Sequence, residues 1–359
     1  MALLEVCFAD TVPLSAYLGV VLKKPDAVLW LRKRDQRKIV QDLESTISGQ
    51  LSVNFESRDI KTDIDEFKEQ CRQIIKDYPE HDILLNCTGG ERLKVLLAAS
   101  IFRDAGKGIF FIDTEHARFV DVTSGEAKSF QLTLTVNEYA AIHGLSIESG
   151  TRFDPEIGKR SWLSYFIGNN LDDTIPFIDR IRQEWNDMGD NKKDAQWRMD
   201  GGLNKFIVSY EAATRNMRFR FGKAERQKTI EIKNDGANYL INGGWLRELV
   251  FLRVHRSQYD DVRMDVRLNR DTIPEGIRAE SMLDITMMKS CHFYIFQCFS
   301  YPITRESFIE LKAVHKSVKL LNATGFLFLA HRPHRGFIER AKDYGLNVIY
   351  GRRIPNFSL

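Results

Sequence analysis

Two adjacent glycines at the start of a predicted helix are the first residues whose type and spacing suggest chemistry. Gly89 and Gly90 end the segment Asn86-Cys87-Thr88-Gly89-Gly90, which follows an apolar run at residues 83–85. Glycine lets the backbone turn sharply there, and the exposed N–H groups lie at the positive end of the helix macrodipole. The corner therefore suits a phosphate or a ligand backbone, although a tight turn that uses glycine only for its geometry explains the pattern equally well.

Polar side chains near two predicted strand ends could complete this site. Residues 10–13 follow the first predicted strand and residues 87–92 follow the fourth. The side chains that can donate to a phosphate or a base edge belong to Thr11, Thr88, Arg92 and Lys94. Each alone is more often a helix cap or a solvated group, but together at strand ends they favour a site. The segment matches neither the six-residue glycine pattern of dinucleotide-binding folds nor a Walker loop.

Alternating strands and helices must position these loops. Apolar runs predict strands at residues 3–8, 27–31, 51–55, 83–85 and 108–113, with helical periodicity between them. Repeated strand-helix units specify a mainly parallel sheet with helices on both faces. Ligands of such sheets bind beyond the carboxyl ends of the strands, where the strand order reverses. The two loops are therefore candidates for one site.

The middle of the chain contains a locally basic segment. Residues 215–221 and 229–232 alternate like the strands of a hairpin whose tip is residues 222–227. Basic residues interleaved with aromatic ones suit a nucleic-acid backbone, which makes Arg218, Arg220, Lys223 and Arg226 candidate contacts. A solvated face over two core phenylalanines, Phe219 and Phe221, is the commoner explanation of such a pattern.

Composition limits the class of protein. The 359 residues are 43% hydrophobic, which allows about two or three domains with cores of their own. The formal net charge of +3, from 52 basic and 49 acidic residues, confines any basic surface to a local patch. The five cysteines lack paired spacing, so we predict reduced thiols in a cytoplasmic protein rather than structural zinc. The chain lacks a basic leader and an apolar run of about 18 residues, so we expect neither secretion nor membrane spanning.

The order of elements and three short phrases resemble a CARF domain, the Rossmann-like sensor of cyclic oligoadenylates in type III CRISPR defence. The phrases are the glycine corner, the strand at 110–114 with its hairpin, and Leu134-Thr135-Val136-Asn137-Glu138-Tyr139 leading to Gly144. The likeness is greatest to proteins that join a CARF domain to a restriction-endonuclease-like domain. Their corner usually reads Thr-Gly-Gly-Thr-Lys, and Glu91 and Arg92 stand where that Thr and Lys would be.

This resemblance implies a ligand and an assembly. The ligand would be a cyclic oligoadenylate, with cyclic tetra-adenylate expected, bound across the two-fold axis of a homodimer. The residues that the resemblance assigns to the ligand are Asp10, Thr11, Thr88, Gly89, Gly90, Arg92 and Lys94.

The C-terminal part resembles the restriction-endonuclease-like (PD-(D/E)xK) nucleases. We predict a helix at 235–256, three strands, a helix and a further strand, which is the core order of that fold, and Gly243-Gly244-Trp245-Leu246 resembles the CARF-linked group. Nuclease chemistry on this fold uses an acid on the second core strand and an acid-any-lysine triplet on the third. The carboxylates hold Mg²⁺ or Mn²⁺ against the scissile phosphate.

Only part of that metal centre can be recognised here. Asp284 stands where the first acid belongs, but the triplet reads Gln297-Cys298-Phe299, and Arg247 takes the place of an acid on the first helix. Glu248 is displaced by one position, about 100° around the helix. A neutral amide brings no charge to a metal ion, and a phenylalanine cannot hold water. Met282 also replaces a frequent Glu, so we predict degenerate catalytic positions at Asp284 and Gln297, with Asp284 as the metal ligand if there is one.

These observations predict an α/β protein with an N-terminal Rossmann-like CARF domain and a C-terminal restriction-endonuclease-like α/β domain. The expected domains are residues 1–150, a helical linker with the basic hairpin at 151–234, and residues 235–359. The expected function is a cyclic-oligoadenylate-sensing effector that has lost metal-dependent cleavage and binds DNA, RNA or a protein. One alternative is an active metal-dependent endonuclease that rebuilds its site from Asp284, Glu248, Glu280 or Gln297. Another is an enzyme that uses a nucleotide cofactor.

Overall fold

The N-terminal part alternates strands and helices as predicted. The computed structural model describes residues 1–199, 204–223, 225–255, 259–269 and 281–359. The strands of this part are β1 (Ala2–Phe8), β2 (Ala27–Arg32), β3 (Asn54–Asp59), β4 (His81–Asn86), β5 (Gly108–Asp113), β6 (Arg118–Asp121), β7 (Ala127–Ser129) and β8 (Ser146–Thr151). Its helices are α1 (Leu14–Lys23), α2 (Arg37–Ser48), α3 (Ile64–Asp77), α4 (Arg92–Asp104) and α5 (Val136–Ile142), with a short 3₁₀ turn at Arg34–Gln36.

The sheet order places the candidate loops side by side. The strands run β3-β2-β1-β4-β5-β6-β7, and the first five are parallel to one another. The mainly parallel sheet predicted from the sequence is therefore confirmed. Strand order reverses between β1 and β4, so the loops after these two strands flank the crevice where ligands of such sheets bind. The hairpin of β6 and β7 adds two antiparallel strands at one edge.

Helix α5 joins this part to the C-terminal part. It begins with a capping box, in which the Thr135 hydroxyl accepts from the Glu138 N–H at 3.2 Å and the Glu138 carboxylate accepts from the Thr135 N–H at 2.7 Å. The Tyr139 hydroxyl donates to the carbonyl of Leu321 at 2.9 Å, and its ring stacks on Phe293 at 4.8 Å. The capped helix α5 thus carries the Tyr139 side chain, which packs directly against the C-terminal domain.

The middle of the chain forms a four-stranded antiparallel sheet beside two helices. Its order is β12-β11-β10-β9, so the predicted basic hairpin is the outer half of a larger sheet. The elements are α6 (Pro155–Asn169), α7 (Leu171–Asp187), β9 (Ala195–Arg198), β10 (Asn204–Glu211), β11 (Asn216–Lys223) and β12 (Arg226–Ile232). The alternation of Phe206, Val208 and Tyr210 along β10 is the period-2 signal that could have revealed the extra strands.

The C-terminal sheet is mixed. It has the order β17-β16-β15-β14-β13-β8, with parallel pairing from β15 to β17 and antiparallel pairing elsewhere. Strand β8, which spans the predicted boundary at residue 150, is one of its two edge strands. The remaining elements are α8 (Gly236–Leu240), α9 (Gly244–His255), β13 (Asp261–Asn269), β14 (Ser281–Lys289), β15 (His292–Phe299), α10 (Arg305–Leu320), β16 (Thr324–Leu329), α11 (Arg335–Asp343), β17 (Asn347–Tyr350) and a 3₁₀ turn at Gly351–Arg353.

The single helix predicted at residues 235–256 is wrong, because the structure has two helices there. Gly243 separates them with a φ of +87°, and a Cβ at this position would lie 2.1 Å from the Ser300 hydroxyl. The chain therefore breaks where only glycine fits against the neighbouring strand end. The last predicted position, residue 256, lies outside the described residues.

Shared hydrophobic cores connect these parts. One face of the N-terminal sheet packs with α5 and with one side of the C-terminal sheet, and α6, α7 and the four-stranded sheet cover the other side. A third cluster lies under α3 and α4 on the far face of the N-terminal sheet. Among the described residues, none of the helices combines the length and apolar content needed to cross a bilayer.

Candidate functional site

The glycine corner is closed by a carboxylate from the neighbouring strand end. The Gly90 N–H donates to Asp10 Oδ2 at 2.9 Å, and Asp10 Oδ1 accepts from the Thr11 N–H at 2.6 Å. Gly90 has a φ of +103°, and a Cβ there would lie 2.8 Å from Phe8. The structure thus brings Asp10, Thr11 and the corner together, and it uses the Gly90 N–H within the protein.

Thr88 and Asn86 tie the corner to the strands beneath it. The Thr88 hydroxyl accepts from the Ile112 N–H at 2.8 Å, and such a hydroxyl still has a proton to donate to a ligand. The Thr88 N–H donates to Asn86 Oδ1 at 3.1 Å, while Asn86 Nδ2 donates to the buried Glu5 at 3.2 Å. Burial raises the pKa of Glu5 to about 7, and hydrogen bonds from Cys7 and Asn86 oppose that rise. Sequence reasoning missed Glu5 because it lies within an apolar strand.

Three cations and one acid lie around the start of α4. Arg92 is exposed, whereas Lys94 is 8% exposed and its ammonium lies 5.8 Å from the ring centre of Phe67. Glu91 Oε2 lies 3.7 Å from Lys33 Nζ and 3.9 Å from Lys94 Nζ. The negative charge of Glu91 is therefore balanced by two lysines. Lys33 was missed, although its place directly after β2, at the same edge of the sheet, is the signal that could have found it.

A cavity of about 410 Å³ opens between this edge and the C-terminal domain. Asp10 and Thr88 line it, whereas Gly89, Gly90, Arg92 and Lys94 do not. The C-terminal turns also reach it, and the full lining is Asp10, Val12, Leu14, Ser15, Thr88, Phe111, Ile112, Asp113, Thr114, Glu115, Tyr139, Cys291, His292, Phe293, Asn322 and Thr324. Its three carboxylates favour donors such as amino and hydroxyl groups over phosphates. Of the predicted ligand residues, Asp10 and Thr88 thus line an acidic cavity, whereas Arg92 and Lys94 lie at a basic helix start.

Asp284 lies in the C-terminal sheet as part of a hydrogen-bonded pair of strands. Its Oδ2 accepts from the Cys298 N–H at 2.7 Å, and its own N–H lies 3.5 Å from Gln297 Oε1. Burial raises the pKa of Asp284 to about 7, although the Cys298 N–H and Arg247 favour the charged form. The side chain of Gln297 therefore adjoins Asp284, as the resemblance to the nuclease motif implied.

Arg247 occupies the space beside Asp284. Its Nη1 lies 2.6 Å from Asp265 Oδ1 and 4.0 Å from Asp284 Oδ1. Asp265 was not anticipated, because it lies inside β13 with a φ of +55° that alternation does not predict. Phe299, at the expected lysine position, is fully buried against Phe337 at 5.9 Å. Within the described ranges, His, Cys, Asp and Glu side chains form no group of three or more that could hold a metal ion.

The other acids considered for a rebuilt centre do not assemble there. Glu248 is 3% exposed and accepts from Arg160 Nε of α6 at 2.5 Å. Burial raises the pKa of Glu248, and Arg160 opposes that rise. Glu280 lies outside the described residues, and Met282 is exposed. The donor set around Asp284 therefore does not fit Mg²⁺ or Mn²⁺, since a guanidinium lies beside its carboxylate and the described residues gather no third His, Cys, Asp or Glu ligand there.

The predicted nucleic-acid contacts lie on the four-stranded sheet. Arg218 and Arg220 are exposed and alternate with the buried Phe219 and Phe221. Arg218 pairs with Glu231 at 3.1 Å, and Lys223 faces Arg226 in register near the tip. Arg198 and Lys205 are also exposed on the neighbouring strands, and Arg198 and Arg220 flank Ile207 on either side. The predicted tip includes residue 224, which lies outside the described residues.

The C-terminal part of the chain matches a known protein family. Residues 234–358 match the family model described as "Card1-like, endonuclease domain". No curated relative matches at a significant level of similarity.

Solved structures match along most of the chain. Protein VC1899 from Vibrio cholerae has a TM-score of 0.77 and 16% identity, covering 98% of this chain and 95% of that one. Can2 from Sulfobacillus thermosulfidooxidans, in complex with cyclic tetra-adenylate, has a TM-score of 0.71 and 15% identity, covering 96% and 95%. A type III CRISPR defence DNA nuclease activated by cyclic oligoadenylate has a TM-score of 0.50 and 13% identity, covering 92% of this chain but 45% of that one.

At these identities the structural likeness concerns the fold. The fold class predicted from the sequence, a Rossmann-like CARF domain followed by a restriction-endonuclease-like α/β domain, is confirmed. The chain has the fold of the Can2 structure over nearly its whole length, and its residues 234–358 match the Card1-like endonuclease family model.

Proposed function

We propose that this protein is a cyclic-oligoadenylate-sensing effector of type III CRISPR defence whose nuclease-like domain binds nucleic acid without metal-dependent cleavage. The observation that carries the first half is the fold that the chain shares, along 96% of its length, with a Can2 structure that contains cyclic tetra-adenylate. The arrangement of Arg247 between Asp265 and Asp284 supports the second half.

The N-terminal edge offers the chemistry that such a ligand needs. A cyclic oligoadenylate has phosphates, which suit Arg92 and Lys33, and base amino and ribose hydroxyl groups, which suit carboxylates. Asp10 and Thr88 lie at the point where the two types of surface meet. In the proposed homodimer this edge occurs twice, so a ring with two-fold symmetry would meet the same groups on each side.

One side chain connects this edge of the N-terminal sheet to the C-terminal domain. Tyr139 lines the cavity, bonds to the carbonyl of Leu321 and stacks on Phe293. A ligand that binds one arrangement of the two domains better than another would shift them towards that arrangement. The proposed output is a changed presentation of the basic four-stranded sheet to DNA or RNA.

A thermal-shift screen with cyclic tri-, tetra- and hexa-adenylate tests the sensing function. Cyclic tetra-adenylate is expected to raise the melting temperature, while NAD and ATP leave it unchanged. Thr88→Val should reduce the shift, because it removes a hydroxyl at the cavity. Thr123→Val, in the exposed turn after β6, is the matched control and should keep it. A shift with NAD or ATP alone would instead favour an enzyme that uses a nucleotide cofactor.

An active endonuclease is the second candidate, and the family match of residues 234–358 favours it. Such an enzyme would nick supercoiled plasmid in the presence of Mn²⁺ and ligand, and Asp284→Ala would abolish the nicking. The proposed effector would not nick under the same conditions.

A further inference from the structure

Two carboxylates face each other across neighbouring strands of the C-terminal sheet. Met264 pairs with Ile285 and Val266 with Leu283, so Asp265 and Asp284 lie opposite each other between these pairs. Asp265 takes a left-handed φ of +55°, a conformation that costs a non-glycine residue energy unless neighbouring contacts hold it. Asp265 lies where the pairing of β13 with β8 is irregular, between Met264 and Arg267, and its side chain forms a 2.6 Å ion pair with Arg247.

A positive charge beside these two acids favours their ionised forms. The Asp284 side chain is 13% exposed and that of Asp265 is 35% exposed, and two partly buried carboxylates repel each other unless a cation lies beside them. The Arg247 side chain, which is 19% exposed, lies within 4.0 Å of both. A divalent ion would have to lie about 2.1 Å from the same oxygen atoms, in the volume that the guanidinium fills.

We propose that the guanidinium of Arg247 is a built-in replacement for a divalent metal ion: it holds Asp265 and Asp284 together and keeps Mg²⁺ and Mn²⁺ out. This inference deepens the proposed function and rests on its loss of metal-dependent cleavage. It assigns Arg247 a positioning role, in which one residue both stabilises the remnant of the centre and prevents its use.

The inference predicts that removal of Arg247 creates a metal site. In Arg247→Ala, Asp265 and Asp284 lose their cation, and the melting temperature should fall by roughly 5 °C or more. Millimolar Mn²⁺ should then raise it by several degrees, whereas the wild-type melting temperature should not respond. Adding Asp284→Asn to the variant should abolish the response to Mn²⁺.

Arg160→Ala is the matched control. It removes the arginine partner of another buried acid, Glu248, so it should also destabilise the protein, but Mn²⁺ should not restore it. Arg247→Lys keeps a cation and should remain insensitive to Mn²⁺. If Arg247→Ala does not fold, the wild type is titrated with Mn²⁺ in a calorimeter instead. Mn²⁺ binding by the wild type that is lost in Asp284→Asn would overturn the proposal.

Failure of Mn²⁺ to stabilise a folded Arg247→Ala protein would overturn it as well. These readouts need neither the cyclic ligand nor cleavage. A wild-type protein that ignores cyclic oligoadenylates would refute the sensing half of the proposed function and leave this inference standing, whereas Mn²⁺-dependent nicking by the wild type would overturn both.

Discussion

Asp10 and Asp284 are held in the same way but face different surroundings. Each accepts a backbone N–H from a neighbouring element, Gly90 at 2.9 Å and Cys298 at 2.7 Å. Asp10 then faces a cavity that also contains the Thr88 hydroxyl, whereas Asp284 faces the guanidinium of Arg247. A carboxylate fixed by the backbone is available to a ligand only where its remaining side is open, as it is at Asp10 and not at Asp284.

A substitution in the glycine corner beside Asp10 should have the largest effect on the free energy of unfolding. Gly90→Ala places a Cβ 2.8 Å from Phe8 at a φ of +103°, so strain and overpacking together should cost roughly 4 kcal/mol in the free energy of unfolding. Denaturant titration measures this cost. Gly125→Ala is the control, because its φ of +75° is also positive but no atom lies within 4 Å of its added Cβ. Equal losses in the two variants would show that Asp10 and Phe8 do not constrain the corner.

The buried carboxylate under the corner should give a smaller, pH-dependent effect. Burial raises the pKa of Glu5 from 4.5 to about 7, so the folded protein binds a proton there that the unfolded chain has already released. Stability should therefore fall as pH rises from about 4.5 to 7, by up to about 3 kcal/mol. Below pH 4.5 Glu5 is protonated in both states and costs no stability, and above pH 7 the full cost of burying its charge applies.

Glu5→Gln sharpens the prediction because it keeps the oxygen that accepts from Asn86 but cannot ionise. The difference in unfolding free energy between variant and wild type should grow with pH across this range. A pH-independent difference would mean that Glu5 titrates normally in the folded protein.

How far the sequence predicts these sites depends on the range of the contacts. The parallel sheet and both candidate loops follow from local periodicity and from Gly89 and Gly90. The bond between Asp10 and Gly90 does not, because it requires β1 and β4 to be neighbours although other strands separate them along the chain. The sequence already has an arginine, Arg247, in place of the expected acid on the first helix. The ion pair of Arg247 with Asp265 could not be predicted, because it depends on the left-handed backbone of Asp265, which no periodicity indicates.

The smallest expected effect concerns the basic sheet. Arg220→Ala should weaken single-stranded DNA or RNA binding by less than tenfold and reduce the slope of log affinity against log salt by about one. Fluorescence anisotropy at several salt concentrations measures both quantities. Arg72→Ala, an exposed arginine of α3 paired with Glu69, should change neither. Identical effects of the two variants would remove the four-stranded sheet from the proposed binding surface.

A plasmid-nicking assay on ligand-saturated protein tests most directly whether sensing is kept while cleavage is lost. Supercoiled plasmid is incubated with Mn²⁺ and with enough cyclic tetra-adenylate to give the full rise in melting temperature. We predict no more nicked product than Asp284→Ala gives under the same conditions. Ligand-dependent nicking that Asp284→Ala abolishes would contradict the account.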